Sequence, residues 1–61
     1  MRNDPHPARE GWIRLTATLP PGATTAADCM HLIHYGHPER YEVTNPRIEN
    51  NRFKAIYRKK P

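Results

Sequence analysis

Four side chains that can bind a transition metal lie within nine residues of this chain. They are Cys29, His31, His34 and His37, and cysteine and histidine are common ligands of zinc and copper. His31 and His34 are three residues apart, which on a helix lets both imidazoles reach one ion. Cys29 points to the other side of such a helix, and His37 follows the glycine at which we expect the helix to end. We therefore predict no metal site and no cofactor, with His31 and His34 as the candidates that a metal titration would test.

Catalysis has few residues to work with. The six carboxylates are scattered, and no two of them are placed by local spacing to share acid–base chemistry. The sequence has no serine, and its three glycines are isolated rather than gathered in a phosphate-binding loop. The helix also turns Cys29 away from the histidines that would have to activate it. We therefore predict that the protein is not an enzyme.

The strongest chemical signal is a basic segment at the end of the chain. The formal net charge is +4, and residues 47–61 hold six Lys and Arg against one carboxylate. Arg52, Lys54 and Arg58 are separated by even numbers of residues, so in a strand they share one face. A basic face favours an anionic partner. We predict a partner-binding face formed by Trp12, Arg14, Arg47, Arg52, Lys54 and Arg58.

Three roles suit such a face. Basic residues beside an exposed aromatic ring can bind nucleic acid through phosphate contacts and base stacking. Trp and Arg are also enriched where proteins bind each other most tightly, and alternating charge can simply keep a sheet soluble. An exposed Trp12 next to Ile56 is costly on a small domain unless a partner, a second copy or the N-terminal arm covers it. This cost favours a binding role.

A very small fold must position these residues. The chain has 61 residues and one cysteine, so it lies near the lower size limit for folding and has no internal disulfide. Alternation of apolar and polar residues predicts a strand over residues 12–19, which the Pro20-Pro21-Gly22 segment ends. Thr25 and Asp28 have the spacing of a capping box and predict a helix of about ten residues, ending at Gly36.

A hairpin completes the predicted fold. Its first strand begins at residue 40 or 41, and its second strand covers residues 52–58. A tight turn at Asn50-Asn51 joins them. Pairing of Ile48 with Phe53 leaves the first strand out of phase, so we predict a one-residue bulge at Asn45-Pro46. The fold class is α+β, with β-α-β-β order and one helix packed on one face of a three-stranded antiparallel sheet.

The predicted domain covers residues 11–58, between a flexible N-terminal arm at 1–10 and a basic tail at 59–61. No apolar stretch approaches the roughly 18–20 residues that cross a membrane, and the first ten residues do not form a signal peptide. A single cysteine suits a reducing compartment, so we expect a cytoplasmic protein. The expected core is Ile13, Leu15, Ala17, Leu19, Ala26, Cys29, Met30, Ile33, Tyr41, Val43, Ile48, Phe53, Ala55 and Tyr57.

The order and size of these elements resemble those of several very small phage proteins. The stretches that carry the likeness are Trp12-Ile13-Arg14-Leu15, Thr25-Ala26-Ala27-Asp28, Tyr41-Glu42-Val43-Thr44 and Phe53-Lys54-Ala55-Ile56-Tyr57. Residues 12–58 are similar in architecture to phage-encoded inhibitors such as some anti-CRISPR proteins and the phage inhibitor of bacterial RNA polymerase. The resemblance implies a protein without catalytic activity that binds a large nucleic-acid-handling machine of a bacterial host. Several such inhibitors mimic nucleic acid with acidic surfaces, whereas this chain is basic, which argues against mimicry.

We therefore predict a small cytoplasmic binding protein, encoded by a phage or mobile element. It would inhibit a host nucleic-acid-handling complex by direct contact with a host protein or ribonucleoprotein. The alternative is a basic module that binds nucleic acid itself. A third class is a structural protein in which self-association covers Trp12 and Ile56.

Overall fold

One antiparallel sheet of four strands organises the chain in its computed structural model. The structure describes all residues except the side chains of residues 34–36 and 38. The strands are β1 (Arg2–Pro5), β2 (Ile13–Thr18), β3 (Tyr41–Glu49) and β4 (Arg52–Lys59). A 3-10 helix at Ala27–Gly36 and a single 3-10 turn at Pro38–Arg40 connect β2 to β3. The strand order in the sheet is β1-β2-β4-β3, so β2 and β4 are central.

The prediction of a three-stranded sheet was wrong, because the N-terminal segment supplies a fourth strand. Residues 2–5, which we expected in a flexible arm, pair with β2 from Arg2 opposite Thr16 to Pro5 opposite Ile13. Proline is tolerated here because β1 is an edge strand. The side chain of Asn3 also accepts a hydrogen bond of 2.8 Å from the Tyr57 hydroxyl on β4. These contacts with distant parts of the chain hold a segment that has no strand pattern of its own.

The predicted α-helix is instead a 3-10 helix that begins at Ala27, one residue later than a cap at Thr25 implies, although the predicted hydrogen bonds between Thr25 and Asp28 are present. The Asp28 carboxylate accepts hydrogen bonds from the N–H groups of Thr24 and Thr25 at 3.0 and 3.1 Å, and the Thr25 hydroxyl accepts one from the Asp28 N–H at 3.3 Å. The N–H groups of Asp28 and Cys29 then donate to carbonyls three residues back, which is the 3-10 pattern. Three residues per turn align Ala26 with Cys29 and Leu32, so a row of apolar side chains faces the sheet.

The predicted hairpin register is confirmed. Ile48 lies opposite Phe53, and the turn residues Asn50 and Asn51 have positive φ of 53° and 61°, as a two-residue turn of this kind requires. The predicted bulge is confirmed as well. Thr44 pairs with Ile56 and Arg47 pairs with Lys54, so two residues of β3 lie opposite one residue of β4. The bulge keeps the apolar residues of β3 on a single face of the sheet.

The sheet therefore has two unlike faces. The inner face packs against the 3-10 helix, and the outer face is the opposite one. The core lies between the inner face and the helix, and its buried members are Leu15, Ala17, Cys29, Ile33, Phe53, Ala55 and Tyr57. All seven were predicted for the core, and six further predicted residues pack against the cluster but are only half-buried: Ile13, Leu19, Ala26, Met30, Tyr41 and Val43. The predicted core residue Ile48 is half-buried and lies outside the cluster. Within the described chain, no helix combines the length and apolar character needed to cross a membrane.

Candidate nucleic-acid interface

The outer face presents rows of polar side chains across all four strands. Directly paired residues of neighbouring strands share a face, so the register identifies each row. One row runs through Arg2, Thr16, Lys54 and Arg47. A second row is Asp4, Arg14, Ile56 and Thr44, and a third is Thr18, Arg52 and Glu49. Three of the four strands thus bring basic residues to the first row, which contains no carboxylate.

An open concavity of about 540 Å³ lies over these rows, and we call it the basic concavity. Its lining residues are Met1, Arg2, Asp4, Arg14, Thr16, Thr18, Arg47, Arg52 and Lys54. Four of the six residues predicted for the partner-binding face are among them: Arg14, Arg47, Arg52 and Lys54. The sequence also predicted that the two threonines lie on this face, because Arg14, Thr16 and Thr18 are the polar residues that alternate with apolar residues along β2. Arg2 had no such signal, since nothing indicated that β1 is a strand.

Two arginines of the basic concavity have no acidic partner in the described part of the chain, namely Arg14 and Arg52. Both side chains are exposed. Each therefore presents a guanidinium group whose donors are available to a ligand. An unpaired guanidinium that is hydrated by water does not destabilise the fold. Its interaction becomes strong when a phosphate or carboxylate accepts two of its hydrogen bonds.

The other basic side chains of the concavity are partly neutralised. Lys54 Nζ lies 3.1 Å from one oxygen of Glu49, and Arg47 Nε lies 3.4 Å from the other. The hydrogen bond and the charge of Lys54, followed by those of Arg47, lower the pKa of Glu49 below its ordinary value. Arg2 and Asp4 form a further ion pair at 2.7 Å. One carboxylate serving two cations leaves a surplus of positive charge at this end.

Trp12 does not lie in the basic concavity, and the expectation that its ring is exposed was wrong. Its exposed fraction is 9%. The Arg9 guanidinium lies over the ring, 4.0 Å from its centroid, and the Arg58 guanidinium lies 4.8 Å away. Arg58 is held in turn by Glu42, whose Oε2 accepts hydrogen bonds from Nε at 3.1 Å and Nη2 at 3.0 Å. The segment between β1 and β2 therefore covers the ring. This is the N-terminal arm, which we named beside a partner and a second copy as what could cover Trp12.

The burial of Trp12 changes what the outer face can do. Ile56 is half-buried, and Met1 is the one large apolar residue exposed among those described. A stacking platform for bases or an aromatic anchor for a protein would need a free ring. Binding by Trp12 and Arg58 stays a prediction, but in this structure they are engaged with each other, and Arg58 is also bonded to Glu42. Charge and hydroxyl groups are what the face offers.

The whole net charge of the protein lies on the outer face. Arg9 belongs to this face because its guanidinium lies over the ring of Trp12. Counting Arg9, seven of the ten Lys and Arg residues and three of the six carboxylates are on the outer face. The remaining basic and acidic residues balance each other. A formal charge of +4 confined to one side of a small domain produces a strong local field for an anion.

The described cysteine and histidine side chains lie apart from the basic concavity. Cys29 is fully buried in the core, and desolvation followed by the nearby charge of Asp28 raises the pKa of its thiol. His31 is exposed, whereas the side chain of His34 lies outside the described residues. Among the described residues, no group of three His, Cys, Asp or Glu side chains is placed to hold a metal ion.

No protein family, curated protein or solved structure was found to match this chain. The resemblance to phage-encoded inhibitors therefore stays a prediction. The function has to be argued from the outer face itself.

Proposed function

We propose that the protein is a non-catalytic module that binds nucleic acid by its phosphates on the outer face of the sheet. The observation that carries this proposal is the concentration of the entire net charge on that face. Within it, Arg14 and Arg52 are unpaired and line the basic concavity. Phosphate oxygens accept hydrogen bonds from Arg, Lys and Thr, and these contacts supply most of the affinity of non-specific nucleic-acid binding.

The threonines of β2 support phosphate as the ligand. Thr16 and Thr18 line the same concavity as the two unpaired arginines. A hydroxyl beside a guanidinium gives a phosphate both neutral and charged donors. Since Trp12 is covered, the face has no free aromatic ring for an anchoring contact, and we expect affinity to come from the backbone and not from the bases.

Inhibition of a host complex is the alternative outcome. That hypothesis used the likeness to three-stranded β-α-β-β inhibitors, and the fourth strand departs from that pattern. Arginines that bind phosphate also bind carboxylates, so an acidic patch of a host protein would use the same face. The origin in a phage or mobile element and the location in a bacterial cytoplasm likewise stay predictions.

The test compares two variants with the same change in charge. Arg14→Glu/Arg52→Glu reverses the unpaired arginines, and Lys59→Glu/Lys60→Glu makes an equal change at the end of β4 and beyond it. Binding of a labelled oligothymidylate is measured by fluorescence polarisation. We expect the arginine variant to lose at least about tenfold in affinity and the lysine variant much less, because close phosphate contacts outweigh a distant field.

Salt dependence provides a second measurement. With about four phosphates neutralised, the logarithm of the binding constant should fall with the logarithm of salt concentration at a slope of roughly −3. Equal losses in the two variants would overturn the assignment to the outer face. If the oligonucleotide does not bind, while a host protein complex is retained from a lysate after nuclease treatment, the inhibitor hypothesis replaces this one.

A further inference from the structure

The charges of the outer face are sorted by strand. The charged residues that the central strands β2 and β4 present there are all basic, and these are Arg14, Arg52, Lys54 and Arg58. The three carboxylates of the face lie on the edge strands, with Asp4 on β1 and the other two, Glu42 and Glu49, on β3. On this face the edge strands also present Arg2 on β1 and Arg47 on β3, so β1 carries no formal net charge and β3 carries −1, against +4 on the two central strands. A positive stripe therefore runs along the middle of the sheet between two borders that have no surplus of positive charge.

The dimensions of this stripe match one phosphodiester backbone. From Arg52 to Arg58 the strand advances six residues, which is about 20 Å at roughly 3.3 Å per residue. The two central strands are only about 4.8 Å apart. The stripe is thus several phosphates long and one backbone wide.

We propose that the outer face binds a single nucleic-acid strand along β2 and β4 and discriminates against the duplex. This inference rests on the proposed function and specifies its ligand. The discrimination comes from the borders, because a second row of phosphates finds no surplus of positive charge there and meets carboxylates that weaken the wrong complex.

A duplex cannot follow the stripe without meeting a border. Its second backbone lies across a groove about 6 Å or about 12 Å wide, whereas each edge strand begins about 4.8 Å from the central pair. The second row of phosphates would therefore come to lie near Asp4 on one side, or near Glu42 and Glu49 on the other. A single strand avoids both, because its bases and sugars, which carry no charge, occupy the space beside its backbone.

The border carboxylates are well placed for this role. The exposed fractions of the side chains are 39% for Asp4, 45% for Glu42 and 50% for Glu49. Each is in an ion pair with a neighbouring basic residue, so the positive charges of Arg2 and Arg47 at the borders are neutralised.

The experiment measures one ratio in three proteins. The ratio is the affinity for an oligothymidylate strand of about 20 nucleotides divided by the affinity for a duplex of the same length, in the low-salt range in which phosphate contacts dominate. The border variant is Asp4→Asn/Glu49→Gln. Its matched control is Glu10→Gln/Glu39→Gln, which raises the net charge equally at positions outside the strands.

We expect the ratio to be at least about fivefold in the unchanged protein, since two or three phosphate contacts of modest size that the borders do not supply amount to about 1 kcal/mol. The border variant should gain more for the duplex than for the single strand and bring the ratio below about two. The control should strengthen both complexes and leave the ratio unchanged. Glu49→Gln alone should give a smaller change in the same direction, which keeps the test valid if the double variant folds poorly.

The two proposals fail in different ways. Failure of both nucleic acids to bind would remove the proposed function. Duplex binding that equals or exceeds single-strand binding, or a ratio that the border variant and its control change alike, would overturn only the preference for one strand.

Discussion

The two faces of this sheet differ in burial and in charge. On β4, Phe53, Ala55 and Tyr57 have exposed fractions of 0 to 2%, while Arg52, Lys54 and Arg58 present charged groups on the opposite face. The inner face is closed by the 3-10 helix, and the outer face has only a partial cover over Trp12. Alternation along one strand therefore lets substitutions on either face be read almost independently.

The largest effect should follow from emptying the centre of the inner face. Phe53→Ala removes a fully buried ring, and such changes cost about 3–5 kcal/mol. A domain of this size has a total stability of roughly 3–9 kcal/mol. We expect the variant to lose most of its cooperative unfolding transition in circular dichroism.

The control for Phe53→Ala is its neighbour on the opposite face. Lys54→Ala should change the free energy of unfolding by no more than about 0.5 kcal/mol, while weakening oligonucleotide binding. If the two variants unfold alike, the division between the faces is wrong.

An intermediate loss of stability is expected at Trp12, the buried aromatic residue of the outer face. Arg58→Ala removes a guanidinium from the ring of Trp12 and from the carboxylate of Glu42. The cost should be about 1 kcal/mol, from one cation–π contact and one exposed ion pair. Because Trp12 is the single tryptophan, its fluorescence should shift to longer wavelength as water reaches the ring.

Arg52→Ala is the matched control for the fluorescence experiment. Arg52 lies on the same face and strand but at the other end of β4, so the emission of Trp12 should not change. A red shift in both variants would mean that the cover of the ring depends on overall charge and not on Arg58.

The inner face could be predicted from the sequence because its signals are local. Alternation along β2 and β4 placed Leu15 and Phe53 in the core, and the phase error between the hairpin strands required the bulge at Asn45-Pro46. Positive φ at the turn asparagines followed from residue type. Each of these features depends on neighbours within a few residues along the chain or across one turn.

The features that sequence did not reveal depend on distant contacts. β1 has four residues and no apolar alternation, and it is held by pairing with β2 and by Asn3, which is 54 residues from Tyr57. The cover of Trp12 likewise needs Arg9 to return over the ring. The 3-10 helix was missed because its two fully buried residues, Cys29 and Ile33, are four residues apart, which is the spacing of one face of an α-helix.

The smallest effect compares one exposed carboxylate on each side of the sheet. Asp28 caps the helix that closes the inner face, and its pKa is lowered chiefly by the N–H groups of Thr24 and Thr25. Glu49 borders the outer face, and its pKa is lowered chiefly by Lys54. Both ionised carboxylates stabilise the folded chain, but Asp28 acts through neutral hydrogen-bond donors and Glu49 through opposite charges.

Asp28→Ala and Glu49→Ala should therefore differ in their response to salt and pH. Because the folded pKa of Asp28 is depressed, its contribution is present above its ordinary value of 3.8 and is lost as pH falls through the lowered value. The difference in Tm between Asp28→Ala and the unchanged protein should be largest near neutral pH, shrink in acid and persist in high salt.

For Glu49→Ala the difference in Tm should shrink below pH 4.5, the ordinary pKa value of Glu49. It should also shrink on adding salt, since exposed ion pairs are screened. Thermal unfolding at several pH values and two salt concentrations makes the comparison. A Tm difference for Asp28→Ala that vanishes in salt would show that the cap acts by charge, as the outer face does.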